Sequence, residues 1–171
     1  MRARSRSFLT RFDELLTALV AVPLLFLVAV YLPSDLRRSY YGPARVVDGD
    51  TLVVGSVRTR LIGIDAPESG QFCRLNGELW RCGEDSTAEL HAMIAGRNVT
   101  CEGEGRDKYR RVLAVCRVAD LELNREMVAR GWAVAYGAYE AQEKAAKAAE
   151  LGLWTSEFER PSAWRQMFEG T

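Results

Sequence analysis

Residues 46–68 constrain this chain more than any other stretch, because they place charge inside sequence that otherwise reads as the wall of a β-structure. The segment runs V-V-D-G-D-T, then a short alternating run, then R-L-I-G-I-D-A-P-E. Asp50, Arg60, Asp65 and Glu68 bring three carboxylates and a guanidinium among core-like neighbours. A charge in that setting needs solvent or a partner of opposite sign, such as a metal ion or a phosphate. Taken singly, the same residues also fit plainer roles: Asp-Gly a turn, Ala-Pro-Glu a loop, and Arg60 a solvated strand face.

The surrounding pattern predicts alternating short strands and helices. Strand-like runs lie at 44–47, 51–54 and 57–64, the last two joined by Gly55-Ser56, and two more fit 99–101 and 112–118. Ser86-Thr87-Ala88-Glu89 has the form of a capping box opening a helix that Gly96 ends. Asn124 is placed to cap a second helix that Gly131 stops, with Leu123 and Val128 as a hydrophobic staple. A third helix is expected over 139–151, with Glu140–Lys144 and Glu143–Lys147 at stabilising spacing and Gly152 as its C-cap. Five strands with a helix after the third suit an α+β fold, a five-stranded OB-type β-barrel with about three helices.

Ahead of this domain, residues 15–32 carry no charge for eighteen positions, close to the roughly twenty that a membrane-crossing helix needs. Arg2, Arg4, Arg6 and Arg11 precede the run. Their positive charge favours a cytoplasmic N-terminus and export of the chain beyond residue 33. The expected organisation is a basic N-terminus over 1–14, an anchor or signal helix over 15–32, a linker over 33–43 and the folded domain over 44–171. A poor small-residue cleavage site favours an uncleaved anchor over a signal peptide, which would leave the protein secreted. The soluble domain then faces the periplasm or the cell exterior.

The four cysteines agree with export. Cys73 and Cys82 bracket a short polar loop, and Cys101 and Cys116 flank the segment D-K-Y-R-R. An even count in an exported domain suggests disulfides, and sequential pairing is the simplest of three connectivities. A zinc site has little support, with His91 the only histidine and no C-x-x-C pair. Residues 39–171 hold 17 Lys plus Arg against 20 Asp plus Glu. Long-range capture of polyanions is therefore weak, and any nucleic-acid affinity has to come from a local site.

V-D-G-D-T, R-L-I-G-I-D-A-P-E, D-K-Y-R-R at 107–111 and L-G-L-W at 151–154, in that order, resemble the staphylococcal nuclease (thermonuclease) family. The resemblance spans residues 44–154 and implies an OB-fold nuclease acting on DNA or RNA. It implies that Asp50, Asp65 and the backbone carbonyl of Ala66 bind Ca²⁺, and that Glu68 is the general base or positions the attacking water. By the same resemblance Arg60 and Arg111 grip the phosphate, while Tyr109 and Tyr136 contact the nucleotide. The family usually has glycine where this chain has Arg110, so that either Arg110 or Arg111 is available as the second phosphate-binding guanidinium. The stretch after Glu68 carries the Cys73 to Cys82 loop in place of a lysine-rich substrate loop. A catalytically inactive OB-type module that binds single-stranded nucleic acid or a protein partner is the alternative reading, and a membrane-tethered structural or assembly protein is another. Of the partners, only a nucleic-acid substrate and the membrane are legible; no protein partner is identifiable.

Overall fold

Strand β1, Arg38–Asp48, opens the part of the molecule that a computed structural model describes, residues 38–168 with the single positions Ala21 and Pro23. The chain divides into two units, Met1–Leu36 and Arg37–Thr171, and the second carries the strands and helices of the folded domain. Apart from Ala21 and Pro23, the expected anchor helix lies outside the described residues. Among the described residues no helix is long and apolar enough to cross a membrane.

After β1 come β2 (Thr51–Val54), β3 (Val57–Leu61), the two-residue β4 (Ile64–Asp65), and a small hairpin of β5 (Cys73–Leu75) and β6 (Glu78–Trp80). Helix α1 (Cys82–Ile94) leads to β7 (Asn98–Arg106), β8 (Val112–Val118) and β9 (Leu121–Glu122). The chain ends with α2 (Leu123–Ala129), β10 (Val134–Ala135), α3 (Glu140–Ala148), a 3₁₀ turn (Gly152–Thr155) and α4 (Pro161–Phe168).

The main sheet has the order β3-β2-β1-β7-β8-β9, and an added parallel pairing of β3 with β8 closes it. Five strands therefore form the expected α+β barrel, with β9 a short extension of β8. Strict alternation builds the wall: along β8, Val112, Ala114, Cys116 and Val118 point inward and are buried. They meet Leu52, Leu61, Ile64, Leu90, Val99, Leu123 and Met127 in one apolar core.

Several local expectations give way to tertiary contacts. Residues 38–43, expected as linker, are strand: Tyr40 pairs with Cys101 and Gly42 with Val99, because β7 offers a free edge for β1 to extend along. Ser86 does not cap α1, which starts a turn earlier at Cys82; Ser86 is buried and donates to the Trp132 carbonyl at 2.8 Å. Asn124 likewise lies inside α2 as a buried cross-strand clamp. Its Oδ1 accepts from the Cys116 N–H at 2.9 Å, and its Nδ2 donates to the carbonyls of Ile62 and Ala114 at 2.9 and 3.1 Å. These are backbone groups where the closing strands meet, and a buried amide is the group that satisfies them. In α3, Glu143 bonds Arg160 and the Ala135 N–H in place of Lys147, whose ammonium lies over the Trp154 ring.

Both disulfides pair sequentially, Cys73 with Cys82 and Cys101 with Cys116. The second joins directly opposed residues of β7 and β8 within the core. The first ties the β5–β6 hairpin to the start of α1. Reduction should lower the melting temperature by an amount matching the loss of about 2–4 kcal/mol for the Cys101–Cys116 link. Peptide mapping under non-reducing conditions checks the pairing, and four free thiols in exported material would contradict it.

Candidate active site

Strand register, more than any single motif, assembles the site. On the β2–β3 ladder Thr51 stands opposite Arg60, and the Leu61 N–H donates to the Asp50 carbonyl at 2.8 Å. The parallel closure sets Arg60 opposite Leu113, which brings Arg111, at the entrance of β8, to the same rim. Pairing of Val134 with Asp65 and a bond from the Tyr136 N–H to the Gly63 carbonyl hold Tyr136 beside them. The result is an open cleft of about 780 Å³ lined by Arg60, Asp65, Glu68, Tyr109, Arg111 and Tyr136 among others. Of the sequence-predicted residues, Asp50 and Ala66 lie in the floor, 3% and 2% exposed.

Arg60 is the centre of the charge arrangement. Its Nη1 donates to Asp50 Oδ1 at 2.8 Å and its Nη2 to Asp65 Oδ1 at 2.7 Å. Both aspartates are buried, so this fork supplies the partner that their charges require. Asp50 also accepts from the Thr51 hydroxyl at 2.9 Å and the Ala66 N–H at 3.2 Å. Burial nonetheless pushes the Asp50 carboxyl up to about 7, against the lowering pull of Arg60 and with the help of nearby Asp48. Gly49 is what permits this packing, since a Cβ there would lie 2.1 Å from Ser86 Oγ and 2.7 Å from Ala66 Cβ.

Arg111 and Arg110 are separated by their surroundings. Arg111 donates through Nε to Asp107 Oδ2 at 2.7 Å and through Nη1 to Thr51 Oγ1 at 3.2 Å. Burial opposes ionisation of Asp107, but hydrogen bonds and charge from Arg111 outweigh it and lower the carboxyl's pKa. Thr51 thus accepts from Arg111 and donates to Asp50, linking the Arg111 side of the cleft to its floor. Arg110 is exposed, at φ +64°, the left-handed conformation that favours glycine. Arg111, not Arg110, is the arginine that lines the cleft. Tyr109 is 57% exposed with the Arg111 guanidinium 5.3 Å from its ring centre, and Tyr136 is 68% exposed.

Glu68 rides on a loop held from beneath. The Gln71 N–H donates to the Glu68 carbonyl at 2.7 Å and the Gly83 N–H to the Gln71 carbonyl at 3.2 Å. A Cβ at position 83 would lie 1.8 Å from the Glu68 carbonyl oxygen, so α1 and this loop can approach only at glycine. The neighbouring Cys73–Cys82 disulfide fixes the same junction.

Sequence reading missed Asp48, Thr51, Asp107 and, above all, Arg165. Arg165 sits on α4 and donates through Nη1 to Glu68 Oε1 at 2.8 Å and through Nη2 to both oxygens of Asp65 at 3.0 and 3.1 Å. With a separation of 100 residues from Asp65, no local pattern announces it. With Arg58, Lys108 and Arg165 included, five cationic side chains line the cleft against four carboxylates. With Asp50 beneath them the carboxyls number five as well, so the cleft is richer in cationic groups than the slightly acidic domain around it without being strongly positive.

Among the described residues no three His, Cys, Asp or Glu side chains gather closely enough to share a metal ion. The two buried aspartates are oxygen donors, the chemistry a hard cation such as Ca²⁺ takes with water completing the shell, while the Ala66 group set against Asp50 is its N–H. In donor type these residues fit the ion. Thiolate ligation is closed off, because all four cysteines are in disulfides.

Residues 58–156 match the family model described as staphylococcal nuclease homologue. Arg60, Asp65, Glu68, Tyr109, Arg111 and Tyr136 fall inside the matched span, while Asp50 and Arg165 fall outside it. The succinoglycan biosynthesis protein ExoI of Rhizobium meliloti is 36% identical over 132 residues, covering 72% of this chain and 69% of its own length. An uncharacterized endonuclease of Haemophilus influenzae is 35% identical over 135 residues, with 71% and 70% covered. An uncharacterized endonuclease of Escherichia coli is 34% identical over 122 residues, with 65% and 74% covered.

Two stability measurements test this geometry. Arg110→Gly should stabilise the protein by about 1 kcal/mol, because glycine relieves a left-handed residue. For Asp50 the folded-state pKa of about 7 lies above the ordinary value of 3.8. The folded state therefore holds the extra proton between those values, and stability falls as pH rises through them and is flat above about 7. Without divalent cations, Asp50→Asn should melt above the parent protein at pH 8 and close to it at pH 4. Equal melting shifts at both pH values would show that Asp50 is not a buried, strained carboxyl.

Proposed function

This chain belongs to the staphylococcal nuclease family, and we propose that it is a Ca²⁺-dependent nuclease hydrolysing phosphodiester bonds of DNA, RNA or both. The observation that carries this reading is the convergence of Arg60 and Arg111 with Asp65 and Glu68 on one aromatic-rimmed cleft over buried Asp50. The endonuclease names of two relatives support it.

Hydrolysis of a phosphodiester builds negative charge on the oxygens around phosphorus, and fixed cations aimed at those oxygens lower the barrier. Arg60 and Arg111 are planar guanidiniums anchored by Asp50, Asp65, Asp107 and Thr51. Arg60 has both terminal nitrogens on the two aspartates, so it grips a phosphate by sharing or releasing those bonds. Glu68 takes the role of general base or water positioner. Its side chain is one-third exposed, which leaves it reachable by solvent. Tyr109 and Tyr136 offer exposed rings on which a nucleotide base can rest. Asp50, Asp65 and the Ala66 carbonyl would hold the cation, which when bound stabilises charge on the phosphate oxygens.

The same proposal places residues 15–32 in a membrane as an uncleaved anchor with the folded domain on the exported side. The two disulfides support an oxidising compartment. The alternative is a non-hydrolytic binding module. The observation favouring it is that Asp50, Asp65 and Glu68 are all ion-paired with arginine, and one relative is named for polysaccharide biosynthesis rather than nucleolysis.

Nuclease assays on single-stranded DNA, duplex DNA and RNA, with Ca²⁺ or excess chelator, separate the two. Asp50→Asn should abolish both cleavage and Ca²⁺-induced thermal stabilisation while the protein stays folded. Arg60→Lys and Arg111→Lys should each lower kcat by about 10²-fold. Full cleavage by Asp50→Asn, or in chelator, would end the metal-dependent mechanism. Should Arg111→Lys be silent while Arg110→Gly is severe, Arg110 would be the phosphate-binding residue.

A further inference from the structure

Arg165 is held where the proposed reaction needs other things. Asp65 is assigned to the cation and Glu68 to the attacking water, yet one guanidinium from α4 straddles both oxygens of Asp65 and bonds Glu68. Asp65 is 1% exposed, so a cation reaches it only from the cleft, the direction from which Arg165 enters. A divalent ion on Asp65 would place two positive charges at salt-bridge range from that guanidinium, and charges of like sign at that range repel. Arg60 meets the same repulsion but takes only Oδ1 of Asp65, whereas Arg165 covers both oxygens, so Arg165 and the ion are alternative occupants.

Of the two arginines on Asp65, Arg165 is the one built to leave. Arg60 lies within β3 of the closed barrel, and its second fork arm is on Asp50. Arg165 lies on the peripheral α4, whose approach is tied down by a few bonds: Gln71 Nε2 to the Glu159 carbonyl at 2.7 Å, Arg160 to Glu143 at 2.8 Å, and a bridge between Arg74 and Glu157. These ties precede α4 and hold its start independently of the Arg165 ion pairs. Trp164 and Phe168 of α4, with ring centres 4.5 Å apart, line the same cleft, so withdrawal of the helix also widens the path to the floor.

We propose that α4 is an autoinhibitory plug: Arg165 occupies the cation position of Asp65 in the resting protein, and the catalytic cation binds only as Arg165 withdraws. The proposal rests on Asp65 being a cation ligand and Glu68 the residue that handles the attacking water. Apparent cation affinity is then the intrinsic affinity reduced by the open fraction. A plug closed in about nine molecules of ten weakens apparent binding about tenfold.

Calorimetric titration of the full chain with Ca²⁺ alone tests this, comparing the parent with Arg165→Gln. The variant should bind Ca²⁺ about tenfold tighter, with the Ca²⁺ midpoint of nucleolysis displaced in the same direction. Hydrogen exchange on the unmutated protein gives a second readout that no folding defect can spoil. Amides of residues 162–168 should exchange faster with saturating Ca²⁺ than in chelator. Unchanged or weaker affinity in Arg165→Gln, or slower exchange of α4 with Ca²⁺, would overturn the plug while Ca²⁺-dependent cleavage by the parent left the nuclease reading standing. A parent protein that neither binds Ca²⁺ nor cleaves nucleic acid would sink both.

Discussion

A guanidinium shared between two buried carboxylates is the constraint around which the site is organised. Arg60 reaches Asp50 on one side and Asp65 on the other, and neither aspartate is exposed enough to rely on water. Taking such charges out of water costs several kcal/mol per ion, and their attraction recovers this only with good geometry and added hydrogen bonds. The Thr51 hydroxyl and the Ala66 N–H supply those bonds to Asp50. Even so, burial keeps the Asp50 carboxyl raised to about 7, more than the pull of Arg60 offsets. A barrel seeking stability alone would fill this position with apolar residues. The strain is understandable where a positive charge arrives with a ligand.

Closure of the barrel is what allows that triad to form. Asp50 and Arg60 are neighbours through the β2–β3 ladder, a local hairpin. Arg111 joins them only because β3 and β8 run parallel and adjacent, and this pairing is held partly by the buried Asn124 side chain. An amide that bridges backbone groups of both closing strands is structural, although its effect is to set the distance between two catalytic candidates. Gly83 and the Cys73–Cys82 disulfide do the same for Glu68 from the other side of the cleft.

The cleft also explains how a slightly acidic domain is compatible with a polyanionic substrate. Five cationic groups and exposed aromatic rings gather in one cleft among its carboxylates, so on the proposed reading binding depends on contact rather than on long-range steering. Arg165 belongs to this local balance. It neutralises Asp65 and Glu68, and under the proposed mechanism it competes with the cation for the first of them.

By itself the sequence determined the strand alternation and the order of the motif residues. These depend on period-two patterning and on short spacings that a single chain displays directly. It offered sequential cysteine pairing as the simplest of three connectivities, and the convergence of the motif residues came only from the family resemblance. It misassigned Ser86 and Asn124, whose preference for helix starts is a weak local term beside the satisfaction of a buried backbone group. It chose Arg111 over Arg110 on resemblance alone, since only the backbone shows which of two adjacent arginines takes the left-handed turn and which faces the cleft. Residues 38–43 read as linker because their partner strand lies some sixty positions away (Tyr40 against Cys101). Arg165 was invisible for the same reason carried further. An ion pair across 100 residues is set by where a terminal helix comes to rest, and no periodicity or spacing encodes that position.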